Sequence, residues 1–170
     1  KGETKAQTPI NGIAMDLIGS NSREIERFNL DAALQKGHLP GAQDEILIPT
    51  RLAKNLNVEI GDVATLISSS ARGGMAIHNF KIAGIIEFGV QFLDRGTIIG
   101  DIQNIQYALD MQNGAGEIVG YFANTVYDSE RAQKVKQDFN TKNSAADDDY
   151  APVMLTLEDQ NNLGELLRIS

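Results

Sequence analysis

The feature that most constrains the fold is the close alternation of short apolar runs and turn signals between residues 45 and 111. Residues 45–48 form a short apolar run, which predicts a strand. A proline and a threonine follow, and Leu52 and Leu56 then lie one helical turn apart, which predicts a short helix. After a Gly-Asp turn, the β-branched residues of 63–68 predict a second strand. The pattern therefore predicts strand, helix, turn and strand within a short stretch.

The remainder of this middle region continues the pattern. Residues 68–74 are small, polar and rich in glycine, so they predict the mobile tip of a hairpin whose second strand spans residues 77–86. Residues 97–102 form a further apolar stretch. Ile105 and Leu109 follow at helical spacing, which predicts a helix after it. The middle of the chain is therefore rich in strands joined by short helices.

The N-terminal region predicts one strand and one helix. Residues 10–18 show a loose period of two, which favours a strand. Asn21 is a suitable helix N-cap because Glu24 follows three residues later, and Gly37 is a suitable helix end. Three apolar residues share one face of this helix: Ile25, Phe28 and Ala32.

The C-terminal region predicts strand, helix, strand and helix. Residues 117–126 alternate as a strand, and Asp128 is placed to cap a helix. Residues 152–157 predict a last strand, and residues 158–169 a polar helix. The apolar face of the first helix is formed by Ala132, Val135 and Phe139. This order predicts an α+β layer, with helices on one face of a mixed sheet.

The order of elements resembles the extracytoplasmic core domain of MacB-like, or FtsX-like, ABC transporter permeases. This family includes the lipoprotein-releasing permeases of the LolC and LolE type. The resemblance rests on an ordered set of segments: residues 45–67, Phe80-Lys-Ile-Ala-Gly-Ile-Ile-Glu-Phe-Gly, and the closing Gln-Tyr-Ala-Leu-Asp-Met of residues 106–111.

The resemblance implies an α+β fold with two lobes. Residues 1–30 and 115–170 would form a split α+β lobe, the Porter-like lobe, with a mixed sheet and helices on one face. Residues 31–114 would form an inserted β-rich lobe, the Sabre-like lobe. The family usually has a further strand and helix before the segment that begins near Ile10, so we expect the first lobe to be incomplete here.

The resemblance also implies a function. The domain would be a non-catalytic part of an inner-membrane permease, standing on the periplasmic side and transmitting ATP-driven motion to release or export a lipoprotein, small molecule or peptide. Its partners would be a cytoplasmic ABC ATPase, a second permease copy or paralogue, and a periplasmic adaptor or lipoprotein. The chain begins at Lys1 without methionine, and we expect membrane helices to flank it in a longer protein.

Composition excludes several classes of function. The chain of 170 residues carries a formal charge of −8 and a pI near 4.7, so nucleic acid and anionic lipid surfaces are disfavoured as partners. Cysteine is absent, which excludes disulfides and thiolate chemistry but leaves the compartment open. No run of the sequence approaches the roughly 20 apolar residues that span a bilayer.

Residues with catalytic potential are few, and the sequence predicts no catalytic, cofactor or metal site. His38 and His78 are interpreted as exposed loop histidines, because no triad motif accompanies them. Asp62 is interpreted as a turn residue and Asp94 as a loop residue. Residues 147–149 are consecutive aspartates and are interpreted as a solvated acidic loop, because their carboxylates point in different directions. Nucleotide-binding motifs are also absent.

The hairpin tip is the predicted partner-binding site. It combines one positive charge, a glycine hinge and apolar side chains in a loop, and loops of this kind suit contact with a partner. The predicted contact residues are Arg72, Gly73, Gly74, Met75 and Ile77.

Two alternatives stay open at this point. The chain would be a free-standing periplasmic module that binds a ligand or a protein, with its cleft beside the Gly61-Asp62 turn. Otherwise it would be a hydrolase in which Asp62, Asp94 and a histidine converge within hydrogen-bond reach.

Overall fold

The computed structural model describes residues 6–20, 22–124, 126–143 and 151–159 of the chain. The chain divides into two compact units, Lys1–Gly116 and Glu117–Ser170. We call them unit 1 and unit 2.

Unit 1 contains a mixed sheet of six strands. The strands are β1 (Asn11–Met15), β2 (Leu34–Gly37), β3 (Glu45–Pro49), β4 (Val63–Ser69), β5 (Met75–Ile86) and β6 (Thr97–Asp101). Their order in the sheet is β1-β6-β3-β5-β2, with β4 beside β5. The pairs β1–β6 and β3–β5 are parallel, and the other pairs are antiparallel.

The described parts of the chain contain six α-helices, five in unit 1 and α6 in unit 2, and the α+β class predicted from the sequence is confirmed. They are α1 (Glu24–Arg27), α2 (Leu30–Ala33), α3 (Thr50–Leu56), α4 (Gln91–Gly96), α5 (Ile102–Ala108) and α6 (Ser129–Asn143). A 3-10 turn, Leu157–Asp159, follows in unit 2.

The elements of the middle region form where local signals predict them. Asn57 caps the C-terminus of α3 in a left-handed conformation at φ 51°. Gly61 then turns the chain at φ 91° into β4. Asp101 caps the N-terminus of α5, and its buried side chain accepts a hydrogen bond from the Gln103 N–H.

The core lies on both faces of the sheet. All five residues of β3 are buried, as expected of a strand with both faces covered. Ile46 and Ile48 belong to a cluster completed by α3, β5 and β6, whereas Leu47 belongs to a second cluster with Leu30 and Ile99. Neighbouring residues of β3 therefore stabilise opposite faces.

The predicted helix between Asn21 and Gly37 is wrong in its second half. Helices α1 and α2 are separated by Asn29, which has φ 50°, and residues 34–37 form β2. Their pairing with the end of β5, including Gly37 with Gly84, is a long-range interaction that overrides helix propensity. The proposed cap Asn21 lies outside the described residues.

The strands predicted at residues 117–126 and 152–157 are also not formed in the described parts of those ranges. A strand needs a ladder of backbone partners, and no strand pairs with these segments in the described sheet. Instead the Asn140 side chain accepts the Met154 N–H at 2.8 Å and donates to the Met154 carbonyl at 3.1 Å. Of the predicted helix 158–169, only residues 158 and 159 are described, and they belong to the 3-10 turn.

The division into a split α+β lobe (residues 1–30 and 115–170) and an inserted β-rich lobe (residues 31–114) stays a prediction. Within unit 1, β1 pairs with β6, and Met15 and Ile99 belong to the same core cluster.

No helix within the described ranges is both long enough and apolar enough to cross a membrane.

Candidate interaction surface on the β4–β5 hairpin

Strands β4 and β5 form a long antiparallel hairpin with two different faces. Its register runs from Val63 opposite Lys81 to Ser69 opposite Met75. Side chains of paired residues share a face, and successive pairs alternate between the faces. The inner face includes Ala64, Leu66, Ala76 and Phe80, which pack toward the core. The outer face includes Val63, Thr65, Ile67, Met75 and Ile77.

The hairpin tip is a compact turn. The Ser70 N–H donates to the Gly74 carbonyl at 2.7 Å, and the Gly73 N–H donates to the Ser70 carbonyl at 3.0 Å. Gly73 has φ 82°, a conformation that favours glycine. The predicted glycine hinge is therefore closed by its own hydrogen bonds.

The tip is tied to the end of α5, a contact that the sequence did not predict. Arg72 Nε lies 3.1 Å from Asp110 Oδ2, and the Ala71 N–H donates to the Leu109 carbonyl at 2.9 Å. Both charged side chains are exposed, so the ion pair contributes little to stability. It nevertheless orients the predicted positive charge toward α5.

The two apolar residues predicted for the tip are exposed, Met75 at 76% and Ile77 at 62%. Ile77 lies directly opposite Ile67, which is also exposed, and Val63 extends the apolar surface toward the base of the hairpin. We call Val63, Ile67, Met75 and Ile77 the outer stripe. Sequence reasoning identified its β5 half but missed Ile67 and Val63, although the alternation of β4 contained the signal.

The expectation of an exposed loop histidine is wrong for His78. This residue lies within β5, and its Nε2 is 2.7 Å from Asp44 Oδ1. Its ring packs against the rings of Phe80 and Tyr107, with centroids 4.7 Å and 5.9 Å away. The pairing of β5 with β4 removes this histidine from the loop. His38 is exposed after β2, as expected.

Asp62 and Asp94 have structural hydrogen bonds. Asp62 accepts the Glu59 N–H at 2.9 Å within the turn, as the turn interpretation predicts, and Asp94 accepts the Phe88 N–H at 2.8 Å. Asp94 lies in α4 rather than in a loop. The two carboxylates line different cavities, so the structure does not bring them together. The acidic residues 147–149 lie outside the described residues.

An open groove lies beside β4 and includes Asp62, next to the turn where the binding-module alternative expects its cleft. Its volume is about 950 Å³. One wall is formed by residues 62–67 and the other by residues 6–10, and the floor is formed by side chains of β3, α3, β5 and β6. Residues 6–10 and 62–67 are far apart in the sequence, so no local sequence pattern predicts that they line one groove.

Groups of three or more histidines, acidic residues or cysteines suited to a metal ion do not occur in the part of the chain that the structure describes. Exposed apolar side chains and a groove are present, and both suit binding. In comparisons with known proteins, no family model matches this chain and none of the curated proteins matches it.

Proposed function

We propose that the chain is a non-catalytic extracytoplasmic domain of an ABC transporter permease. In this proposal it transmits motion, driven by ATP hydrolysis on a cytoplasmic ATPase, to the release or export of a substrate. A lipoprotein, a small molecule and a peptide are all compatible substrates. The observation that carries the proposal is the order of elements from β3 to α5, which agrees with the order on which the family resemblance rests.

The packing of the β3–α5 region supports a mechanical role. Three strands pair with β5. Phe80 and Ile82 of β5 and Ile46 of neighbouring β3 are almost fully buried. Close-packed interiors transmit displacement because they have low compressibility. A rigid domain of this kind transmits displacement without an active site of titratable residues.

The apolar character of unit 2 also supports the proposal. Ile118 is 95% exposed, and Val119, Val153 and Leu155 are exposed as well. These residues lie outside helices and strands, before and after α6. Exposed apolar segments of this kind are typical of a layer that is completed by other strands or by a partner. A lobe that shares its sheet with further segments of a permease has this property.

A cysteine-labelling experiment tests the location. Because the 170 residues contain no cysteine, Ser69→Cys on the exposed hairpin provides a single reactive thiol in the domain. We expect a membrane-impermeant maleimide to label the full-length protein in intact cells. The buried Ile99→Cys is the matched control and is expected to react only after denaturation.

Co-purification tests the partner. We expect the full-length protein to be isolated from membranes with an ABC ATPase, and ATP hydrolysis to be coupled to substrate release in liposomes. Labelling of Ser69→Cys only after cell lysis, or a full-length protein isolated from the soluble fraction, would exclude the permease.

A second candidate is a free-standing periplasmic binding module, which the groove beside β4 favours. It predicts labelling of the same cysteine in the periplasm, but recovery of the protein in the osmotic-shock fluid instead of the membrane.

A further inference from the structure

The outer edge of β4 offers free backbone groups. In the described sheet β4 pairs only with β5. In this antiparallel ladder the Ser70 N–H donates to the Gly74 carbonyl and the Ile82 N–H to the Asp62 carbonyl, so even-numbered residues of β4 face β5. The N–H and C=O groups of Val63, Thr65 and Ile67 therefore point away from β5, where the described strands provide no partner.

This edge lacks the features that usually protect edge strands from further pairing. Charged side chains, proline and bulges are the common protections. Residues 63–71 contain no charged residue and no proline, and the β4–β5 register is continuous from Val63 to Ser69. The edge is therefore competent to accept another strand.

The groove places an apolar floor beside this edge. The apolar lining residues that keep some exposure are Leu56, Val58, Ala64 and Leu66, and they lie over the buried Ile46 and Phe80. Asp62 is the one charged residue among the described residues that line the groove. A segment entering the groove would meet backbone donors and acceptors on the β4 side and apolar side chains beneath. A charged segment would lose its hydration there without finding partners.

The groove has the size of a short strand. A residue in a sheet occupies roughly 160 Å³, since residues rise ~3.3 Å along a strand, strands lie ~4.8 Å apart and sheets ~10 Å apart. The cavity of about 950 Å³ therefore accommodates about six extended residues. This length matches β4, which has 7 residues.

We propose that the groove binds a single extended, uncharged peptide segment of a partner protein, which pairs with β4 as an added strand. Alternate side chains of the segment are apolar and face the floor. The proposal goes beyond the proposed function and does not depend on it, because a permease domain and a free-standing module would both present this edge.

A second copy of the chain fits the groove less well than a single segment. The β4 strand of another copy carries its own β5 along the opposite edge. Pairing β4 with β4 would therefore bring a two-stranded hairpin against the wall formed by residues 6–10. A single strand leaves its second edge free to face that wall.

Binding of capped synthetic peptides tests the proposal. The probes are about six residues long, alternate threonine with valine, isoleucine, leucine or phenylalanine, and carry a terminal lysine for solubility. We expect at least one of them to bind and to shift the NMR amide signals of Val63, Thr65 and Ile67. Its analogue methylated on the backbone nitrogens that face β4 has the same side chains, and we expect it to bind at least tenfold more weakly.

Two variants of one residue provide a matched control on the protein side. Thr65→Pro removes an edge-facing N–H while leaving the ladder to β5 intact, since proline is tolerated on an edge. Thr65→Ala keeps this N–H and, like proline, loses the Thr65 hydroxyl bond to Asn79. We expect the proline variant to lose binding at least tenfold and the alanine variant to retain it.

Three outcomes would overturn the proposal. The first is that no peptide of the set binds. The second is binding that tolerates backbone methylation, which would indicate an ordinary apolar pocket. The third is self-association of the chain through β4, observed by sedimentation and abolished by Thr65→Pro. If Thr65→Pro fails to fold, the methylated peptide decides the question alone.

Discussion

Asp159 illustrates how a single exposed carboxylate joins two segments of unit 2. Lys136 Nζ lies 2.7 Å from Asp159 Oδ1 and 2.8 Å from Oδ2, and the Thr156 N–H donates to Oδ2 at 2.7 Å. These hydrogen bonds, with Lys136 the largest contributor, lower the pKa of Asp159 from 3.8 to about 2. The carboxylate therefore holds residues 156–159 against α6.

We expect this contact to weaken in acid. A lowered pKa in the folded state stabilises the fold above the ordinary value of 3.8, and this stabilisation is lost as pH falls toward about 2. Carboxyl ¹³C NMR titration measures the pKa directly. Lys136→Met should raise it toward 3.8. A midpoint near 3.8 in the unaltered protein would contradict the assignment.

Gly84 is a position at which close neighbours, and not a positive φ, favour glycine. A Cβ at this position would lie 2.7 Å from the His38 carbonyl oxygen and 2.8 Å from both Leu34 Cδ1 and Leu47 Cδ2. We expect Gly84→Ala to lower the free energy of unfolding by about 1–3 kcal/mol, the usual cost of overpacking. Urea denaturation measures this change.

Gly12 provides the matched control for Gly84. It also lies in a strand, but a Cβ there meets nothing within 4 Å. Gly12→Ala should therefore change the free energy of unfolding by less than about 0.5 kcal/mol. Equal effects of the two substitutions would show that the close approach at Gly84 is relaxed in solution.

The left-handed conformation of Gly73 restricts how the tip can be tested. Gly73→Pro is a natural choice for stiffening a hairpin tip, but proline is fixed near φ −65°, whereas Gly73 has φ 82°. The substitution would disrupt the turn instead of stiffening it. Side chains next to the turn are better targets.

At the scale of elements, substitutions in the outer stripe should affect contact with a partner without affecting folding. Met75 and Ile77 are exposed, so Met75→Thr with Ile77→Thr should change stability by no more than about 1 kcal/mol, twice the usual limit for one surface substitution. If the hairpin contacts a partner in the permease, ATP-dependent substrate release by the full-length protein should fall. Val90→Thr, at an exposed position outside the hairpin, is the control. Unchanged release would remove the stripe from the proposed function.

Local sequence patterns predict those helices and strands whose own residues favour the observed conformation. Helix α3 follows from the spacing of Leu52 and Leu56, and β4 follows from a β-branched run after a glycine turn. The β2 strand has no such signal, because residues 34–37 become a strand only through pairing with the end of β5. Patterns in a single sequence therefore do not show pairing between distant segments of the chain.

In the C-terminal segments the error is the opposite, because a strand is predicted where none forms. Residues 117–126 have the alternation of a strand, and the pattern is correct about which side chains are apolar. The described residues there form no strand, however, and Ile118 is exposed. Composition predicts a tendency to pair, but the pairing itself depends on another strand.

At the scale of the whole molecule, the sheet and both core clusters belong to unit 1. We therefore expect residues 1–116 to fold as a cooperative unit when expressed alone. Circular dichroism and a single sharp urea transition would check this, together with an NMR spectrum that retains the signals of β3, β5 and β6. A fragment with helical signal but no cooperative transition would show that unit 1 requires residues 117–170.

The candidate sites differ in how far the sequence predicts them. The hairpin tip is continuous in the chain, so its glycines and exposed apolar residues were recognisable. The groove joins residues 6–10 to residues 62–67 across a floor drawn from four elements. Its existence depends on the strand order of the sheet, which no local pattern contains.

Strand β5 carries one further consequence. Gly84, Ile85 and Ile86 are each paired with β2 on one side and β3 on the other, and Ile86 is fully buried. Their amides are released to deuterium only when the sheet opens as a whole, so they should be the slowest in the chain to exchange. The end of this strand is thus the place where the global unfolding free energy can be measured amide by amide.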